Sequence, residues 1–169
     1  EAIPGHHYQL SLQQENQDLP KIRQFASYSV FSEGWALYVE SLGEELGLYT
    51  DPYQKLGAYK GEMFRAMRLV IDTGLHTGKM TREEAIDYMM KNGGREEKAT
   101  ISEVERYLTT PGQALTYKIG ELKMKELKAK YQKELGAKFD IKKFHDAILQ
   151  IGSVPLSALE SYMEQWAKM

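Results

Sequence analysis

The sequence predicts an all-α, multi-helix fold, and three observations predict it. Apolar residues recur at helical spacing along most of the 169 residues, alternating strand-like runs are scarce, and helix-capping signals punctuate the chain. With 42% hydrophobic and 27% charged residues, the chain has enough apolar surface for the core of one ordinary soluble domain.

The elements follow in order. After Pro4-Gly5 a helix is predicted from His6 to about Asn16, closed by Asp18-Leu19-Pro20. A short segment leads to a second helix, with Ser32 as N-cap and Glu33 opening it, running to about Leu46. Asp51-Pro52 starts a long helix, because aspartate accepts from the first free amides and proline tolerates the first position; it stops near Thr77-Gly78. Thr81 with Glu84 is a capping box for a helix ending at Asn92-Gly93-Gly94. Thr100 with Glu103 repeats that pattern for a helix to Leu108, and Thr110-Pro111 opens a longer one to Leu135-Gly136. In its far half the apolar side is Leu122, Met124, Leu127 and Tyr131, opposite a charged face. Asp140 caps a helix to about Ile151, and Pro155 starts the last one, through Trp166. With no repeat, low-complexity run or linker, residues 1–169 are expected to form a single helical domain.

Charge and composition narrow the function classes. The chain carries 22 basic and 24 acidic residues, a net charge of -2, so nothing electrostatic favours a nucleic-acid partner. No segment is apolar enough to span a bilayer. Zero cysteines exclude disulfides, thiolate catalysis and Cys-ligated metals, and leave His, Asp and Glu as the strong ligands. The chain begins with Glu1 and not Met, which leads us to expect the C-terminal part of a longer chain whose upstream part is its partner. Localisation then follows the parent: periplasmic or exported with a signal peptide, otherwise cytoplasmic.

Three groups of residues could carry chemistry. Glu1, His6 and His7 sit around Pro4-Gly5; in helical zinc peptidases two histidines ligate zinc while a glutamate beside the first polarises water. A histidine before Glu1 would give a His-Glu-x-x-His variant with two extra positions. A regular helix puts such a spacing on the far side, but the Pro4-Gly5 turn can bulge and bring His6 round, and His7 is the alternative. Glu33 follows at a distance that suits a third ligand on a second helix, and Gly34 beside it marks a place where another backbone or a ligand comes close. Arg65, Arg68, Asp72 and His76 share one face of the long helix, either as a buried ion-pair network or as the wall of a polar cleft in which Arg68 or His76 faces substrate.

Glu-Ala-Ile-Pro-Gly-His-His at the start, Glu33-Gly34-Trp35-Ala36-Leu37-Tyr38, Arg65 to His76, Pro111 to Gly120, Phe144-His145-Asp146 and Val154-Pro155-Leu156 together resemble the bacterial domain of unknown function family 885, over nearly the whole chain. That family in turn resembles the gluzincin-class helical zinc peptidases related to carboxypeptidase Taq, the oligopeptidases and angiotensin-converting enzyme. The resemblance implies the C-terminal part of a gluzincin-like fold and a zinc cofactor. Its ligands would be the absent preceding histidine, His6 and Glu33, with Glu1 as general base. The Pro-Gly insertion departs from the shorter spacing of close relatives and leaves His6 and His7 both open. In this class of peptidase a tyrosine or histidine donates to the oxyanion, a role open to Tyr117 or His76, while His145 has a structural or ligand-orienting role. The expected function is zinc-dependent hydrolysis of a peptide substrate, with metal binding weak or absent in the chain alone. The alternative is a helical binding or scaffold domain that keeps the architecture without turnover.

Overall fold

A computed structural model describes residues 3–94 and 96–169. It is all-α: among the described residues the elements are α1 (His6–Glu15), α2 (Lys21–Phe25), α3 (Ser29–Ser41), α4 (Pro52–His76), α5 (Arg82–Gly93), α6 (Glu97–Thr109), α7 (Thr116–Leu135), α8 (Ile141–Gln150) and α9 (Leu156–Trp166). Short 3-10 turns at Gln113–Leu115 and Gly136–Lys138 flank α7. The chain divides into two compact units, Glu1–Val39 with Ile119–Met169, and Glu40–Lys118, so the boundary falls inside α3 and inside α7.

In the first unit the apolar core is built on α3, α7, α8 and α9. Phe31, Trp35, Met124, Leu127, Phe144, Ile148, Leu159 and Met163 are almost wholly buried. Each such side chain withdrawn from water contributes roughly 1.5–3 kcal/mol. Trp166 packs edge-on against Tyr131 and Phe144, with centroids at 5.7 and 6.1 Å. Helices α3 and α7 meet backbone to backbone. A Cβ added to Gly34 would lie 2.5 Å from Gly120 Cα, and one on Gly120 only 2.0 Å from the Val30 carbonyl oxygen, so only glycine fits at either position.

Helix α1 joins this unit differently. Its buried side chains are Gln9 and Gln13. The Gln13 amide donates to the Arg23 and Ala26 carbonyls at 2.9 and 2.7 Å, and its oxygen accepts from the Ser153 amide at 2.9 Å and from Gln9 at 3.1 Å. Gln24 closes α2 by donating to the Asn16 and Leu19 carbonyls. Gln13 is tolerated here because its donor and acceptor atoms find partners, whereas Gln9 donates to Gln13 but its own Oε1 is buried with no hydrogen-bond partner among the described residues.

The second unit packs α4, α5 and α6 around Met67, Ile71, Ala85, Met89, Val104, Tyr107 and Ala114. Its capping chemistry matches expectation at α4 and α5. Asp51 Oδ1 accepts from the Tyr53 amide at 2.6 Å, Thr81 and Glu84 form a complete capping box, and Gly94 takes the left-handed cap.

Five local expectations are corrected. Ser32 does not cap α3 and Glu33 does not open it: the Tyr28 carbonyl accepts from Phe31 and Ser32, and the Tyr28 amide is held by Ser153 Oγ at 2.7 Å. Burial of Phe31 and a tertiary hydrogen bond therefore outweigh the local capping signal. The helix also stops at Ser41 and not near Leu46, where the Tyr49 ring lies over Gly43 and its hydroxyl donates to the Glu40 carbonyl. Thr100 lies inside α6, its hydroxyl returning to the Glu96 carbonyl, because Glu103 is drawn to arginines instead of closing a box. Pro111 precedes a turn and not a helix, since Gly112 at φ +80° lets its amide reach the Asp72 carboxylate at 3.0 Å. On α7, Leu122 is 49% exposed and Glu121 is buried in its place; the inward register runs Gly120, Glu121, Met124, Leu127, Tyr131.

Candidate functional site

Of the residues proposed for metal chemistry, Glu1 lies outside the described residues. His6 is the first residue of α1 and Glu33 sits in the second turn of α3. Their side chains meet: His6 Nε2 is 3.2 Å from Glu33 Oε2, with the two side chains 33% and 23% exposed. His7, one residue on, is exposed.

Three local features put this pair together. Gly5, buried, is the N-cap of α1 and carries no capping side chain. The preceding carbonyl, that of Pro4, accepts a 2.7 Å hydrogen bond from the Trp35 indole. Glu33 and Trp35 lie on one helix, which the Gly34 and Gly120 approach seats against α7. Farther along α3, the Tyr38 hydroxyl and His145 Nε2 are 2.7 Å apart, and the His145 ring stands edge-on to Trp35 at 5.7 Å.

The donor chemistry suits zinc at two corners. Two atoms each about 2.1 Å from one tetrahedral ion lie about 3.4 Å apart, close to the observed separation. Among the described residues, no group of three or more His, Cys, Asp or Glu side chains could hold a metal ion.

Arg68, His76 and Tyr117 belong to the second unit. The Arg68 guanidinium is stacked on Phe64 at 4.3 Å and on Tyr117 at 4.8 Å. Its Nη2 donates to Glu103 at 2.8 Å and its Nε to the Tyr107 hydroxyl at 3.0 Å. Arg106 also donates to Glu103, at 2.7 Å, and to Gln113. Burial pulls the Glu103 carboxyl up, but the Arg106 hydrogen bond and the Arg68 charge outweigh it and hold the group below its ordinary value. Burial pushes the Tyr107 phenol far up despite the nearby Arg68 charge, so it stays protonated. His76 is exposed and its Nε2 lies 3.1 Å from the Tyr107 carbonyl; since a carbonyl can only accept, this nitrogen carries the proton. The Tyr117 hydroxyl accepts from Gln113 at 3.3 Å. Arg65, on the same stripe, reaches Glu40 at 3.6 Å.

The family model for bacterial proteins of unknown function designated DUF885 matches residues 1–163. The chain belongs to the DUF885 family. This DUF885 chain is 46% identical, over 99% of its length, to a solved structure described as "the putative lipoprotein from Colwellia psychrerythraea", with a TM-score of 0.96. It is 28% identical, over its whole length, to "a putative lipoprotein of unknown function from Shewanella oneidensis", with a TM-score of 0.87. It spans 29% and 30% of those two chains, less than a third of either. No curated protein matches it. The resemblance to family 885 is thereby established.

Sequence reasoning missed the Trp35 to Pro4 hydrogen bond, the pairing of Tyr38 with His145, and Gly120 as the partner of Gly34. Gly34 itself carried a signal, a costly glycine inside a helix. Its partner lies on a helix far away in the chain, and no local pattern connects the two.

Proposed function

We propose that this DUF885 chain contributes to a zinc-dependent, peptidase-like hydrolase acting on peptide bonds, with His6 and Glu33 as two of the metal ligands. The observation that carries this is the convergence of an imidazole nitrogen and a carboxylate oxygen from two helices at 3.2 Å, beside the Glu1 to His7 motif. Zinc, when bound, would supply Lewis acidity toward the scissile carbonyl. Glu1 would take the proton from the attacking water as general base. His6 would present a neutral imidazole nitrogen, and the Glu33 carboxylate would balance charge at the same centre. Because the matched structures are more than three times as long, the remaining ligand, the substrate pocket and the activity itself would belong to a longer protein.

Export forms part of the same proposal. Both similar structures are described as lipoproteins with the qualifier "putative", and no described helix of this chain is long and apolar enough to cross a membrane. The substrate would then be a peptide met outside the cytoplasm.

A helical scaffold without turnover is the competing reading, favoured by the convergence of only two donors among the described residues. Metal analysis of the natural polypeptide carrying this chain separates them. The wild type should hold zinc, and Glu33→Ala should weaken binding by at least about tenfold. No zinc in the wild type, or affinity indifferent to Glu33, would leave the scaffold.

A further inference from the structure

We infer that Trp35 is a positioning residue: its indole N–H, by gripping the Pro4 carbonyl, fixes where α1 begins and so keeps His6 within reach of Glu33. Helix α1 has little else to place its first turn. Its N-cap is a glycine, no side chain caps it, no acidic residue lies in its first turn, and none of its buried residues is apolar. A helix start in that condition frays unless something external holds it. Its far half is held by Gln13 through the Arg23, Ala26 and Ser153 backbone. Its near end is held by Trp35, which is 1% exposed, donates at 2.7 Å, and is braced by the Tyr38 and His145 rings.

The spacing on α3 makes this grip specific to the pair. Trp35 follows Glu33 by two residues, and Pro4 precedes His6 by two. One helix thus reaches the other at two points, a buried neutral hydrogen bond and a partly exposed imidazole–carboxylate contact. Without the first, the His6 backbone is free to move and the second loses its geometry. The ring of Trp35 fills the core; its N–H serves the pair.

The test replaces that N–H alone, by incorporating benzothienyl-alanine at position 35 of this 169-residue chain, where sulfur takes the place of nitrogen on an isosteric ring. Trp35→Phe is the encoded companion, and Trp166→Phe is a control for loss of indole from the same unit. The first readout needs no metal: nuclear Overhauser contacts between the His6 ring and the Glu33 γ-methylene, with amide exchange along α1. Wild type and Trp166→Phe should show the contacts. Both position-35 variants should lose them and exchange faster at Gln9, while Gln13 stays protected. Contacts that survive removal of the N–H, or that vanish equally in the Trp166→Phe control, overturn the inference. The second readout rests on the function proposed above: zinc affinity of the natural polypeptide, expected to fall about tenfold in the Trp35→Phe variant. Absence of zinc from every variant, with the contacts behaving as expected, would refute the metal proposal and leave the positioning role of Trp35 supported.

Discussion

Arg68 with Glu103 and His6 with Glu33 each join a nitrogen cation or imidazole to a carboxylate across helices, and the two contacts are built in opposite ways. Arg68 with Glu103 is nearly closed to solvent, side chains 8% and 19% exposed, and its members are engaged on several sides by Phe64, Tyr107, Arg106 and Tyr117. His6 with Glu33 is a third to a quarter exposed, and among the described residues the polar contact of each side chain is with the other. A buried charge survives only when its partners are supplied, and supplying them uses up its capacity to bind anything else. The first arrangement therefore acts as a brace for α4 and α6. The second leaves both groups open to solvent, with fewer partners around them.

That contrast can be broken, starting with the largest expected effect. Gly120→Ala drives a methyl group into the Val30 carbonyl, where neither backbone can yield cheaply; chemical denaturation should show a loss of more than about 3 kcal/mol. A loss below about 1 kcal/mol would mean that α3 is not seated on α7 as described. Next, Arg68→Ala leaves Glu103 and Tyr107 without their shared partner and should cost about 3 kcal/mol, at the low end for a broken buried pair because Arg106 still reaches Glu103.

Acidification sharpens the same brace. The folded-state pKa of Glu103 lies below its ordinary value of 4.5, so its contribution is fully present above that value and disappears as pH falls through the folded pKa. Stability of the wild type should therefore decline on the acid side of about pH 4.5. Glu103→Gln should lower stability by about 1.5 kcal/mol at pH 7 and flatten that decline; an unchanged acid limb would show that other carboxylates dominate it. The smallest effect belongs to the other pair. His6→Ala should alter stability by no more than about 0.5 kcal/mol, because a solvent-accessible contact of this kind contributes little. A loss of several kcal/mol would make His6 part of the frame and remove the contrast.

Much of the helical order was legible in the chain, for reasons visible at particular residues. Asp51-Pro52, the Thr81 and Glu84 box, Gly94 and Asp140 act within one turn of themselves, so their chemistry operates wherever the segment lies. The signals that misled were of the same local kind but were overruled from a distance. Ser32 and Thr100 ended up inside helices because Phe31 had a core to enter and Glu103 had arginines to meet. The site was legible in part: the motifs named His6 and Glu33, but nothing local could choose between His6 and His7 as the residue that stands beside Glu33. The buried glutamines of α1 gave no apolar stripe to read.

By itself, then, the sequence determined an all-α chain of the DUF885 family, most helix ends, and the residue types able to ligate a metal. These depend on hydrogen bonds and spacings within a few residues. Only the tertiary structure decided that Gly34 meets Gly120, that Trp35 holds Pro4, that His6 rather than His7 reaches Glu33, and that Arg68 is enclosed. Each of these joins groups far apart in the chain, and such pairings are fixed by how helices pack, which no local pattern encodes.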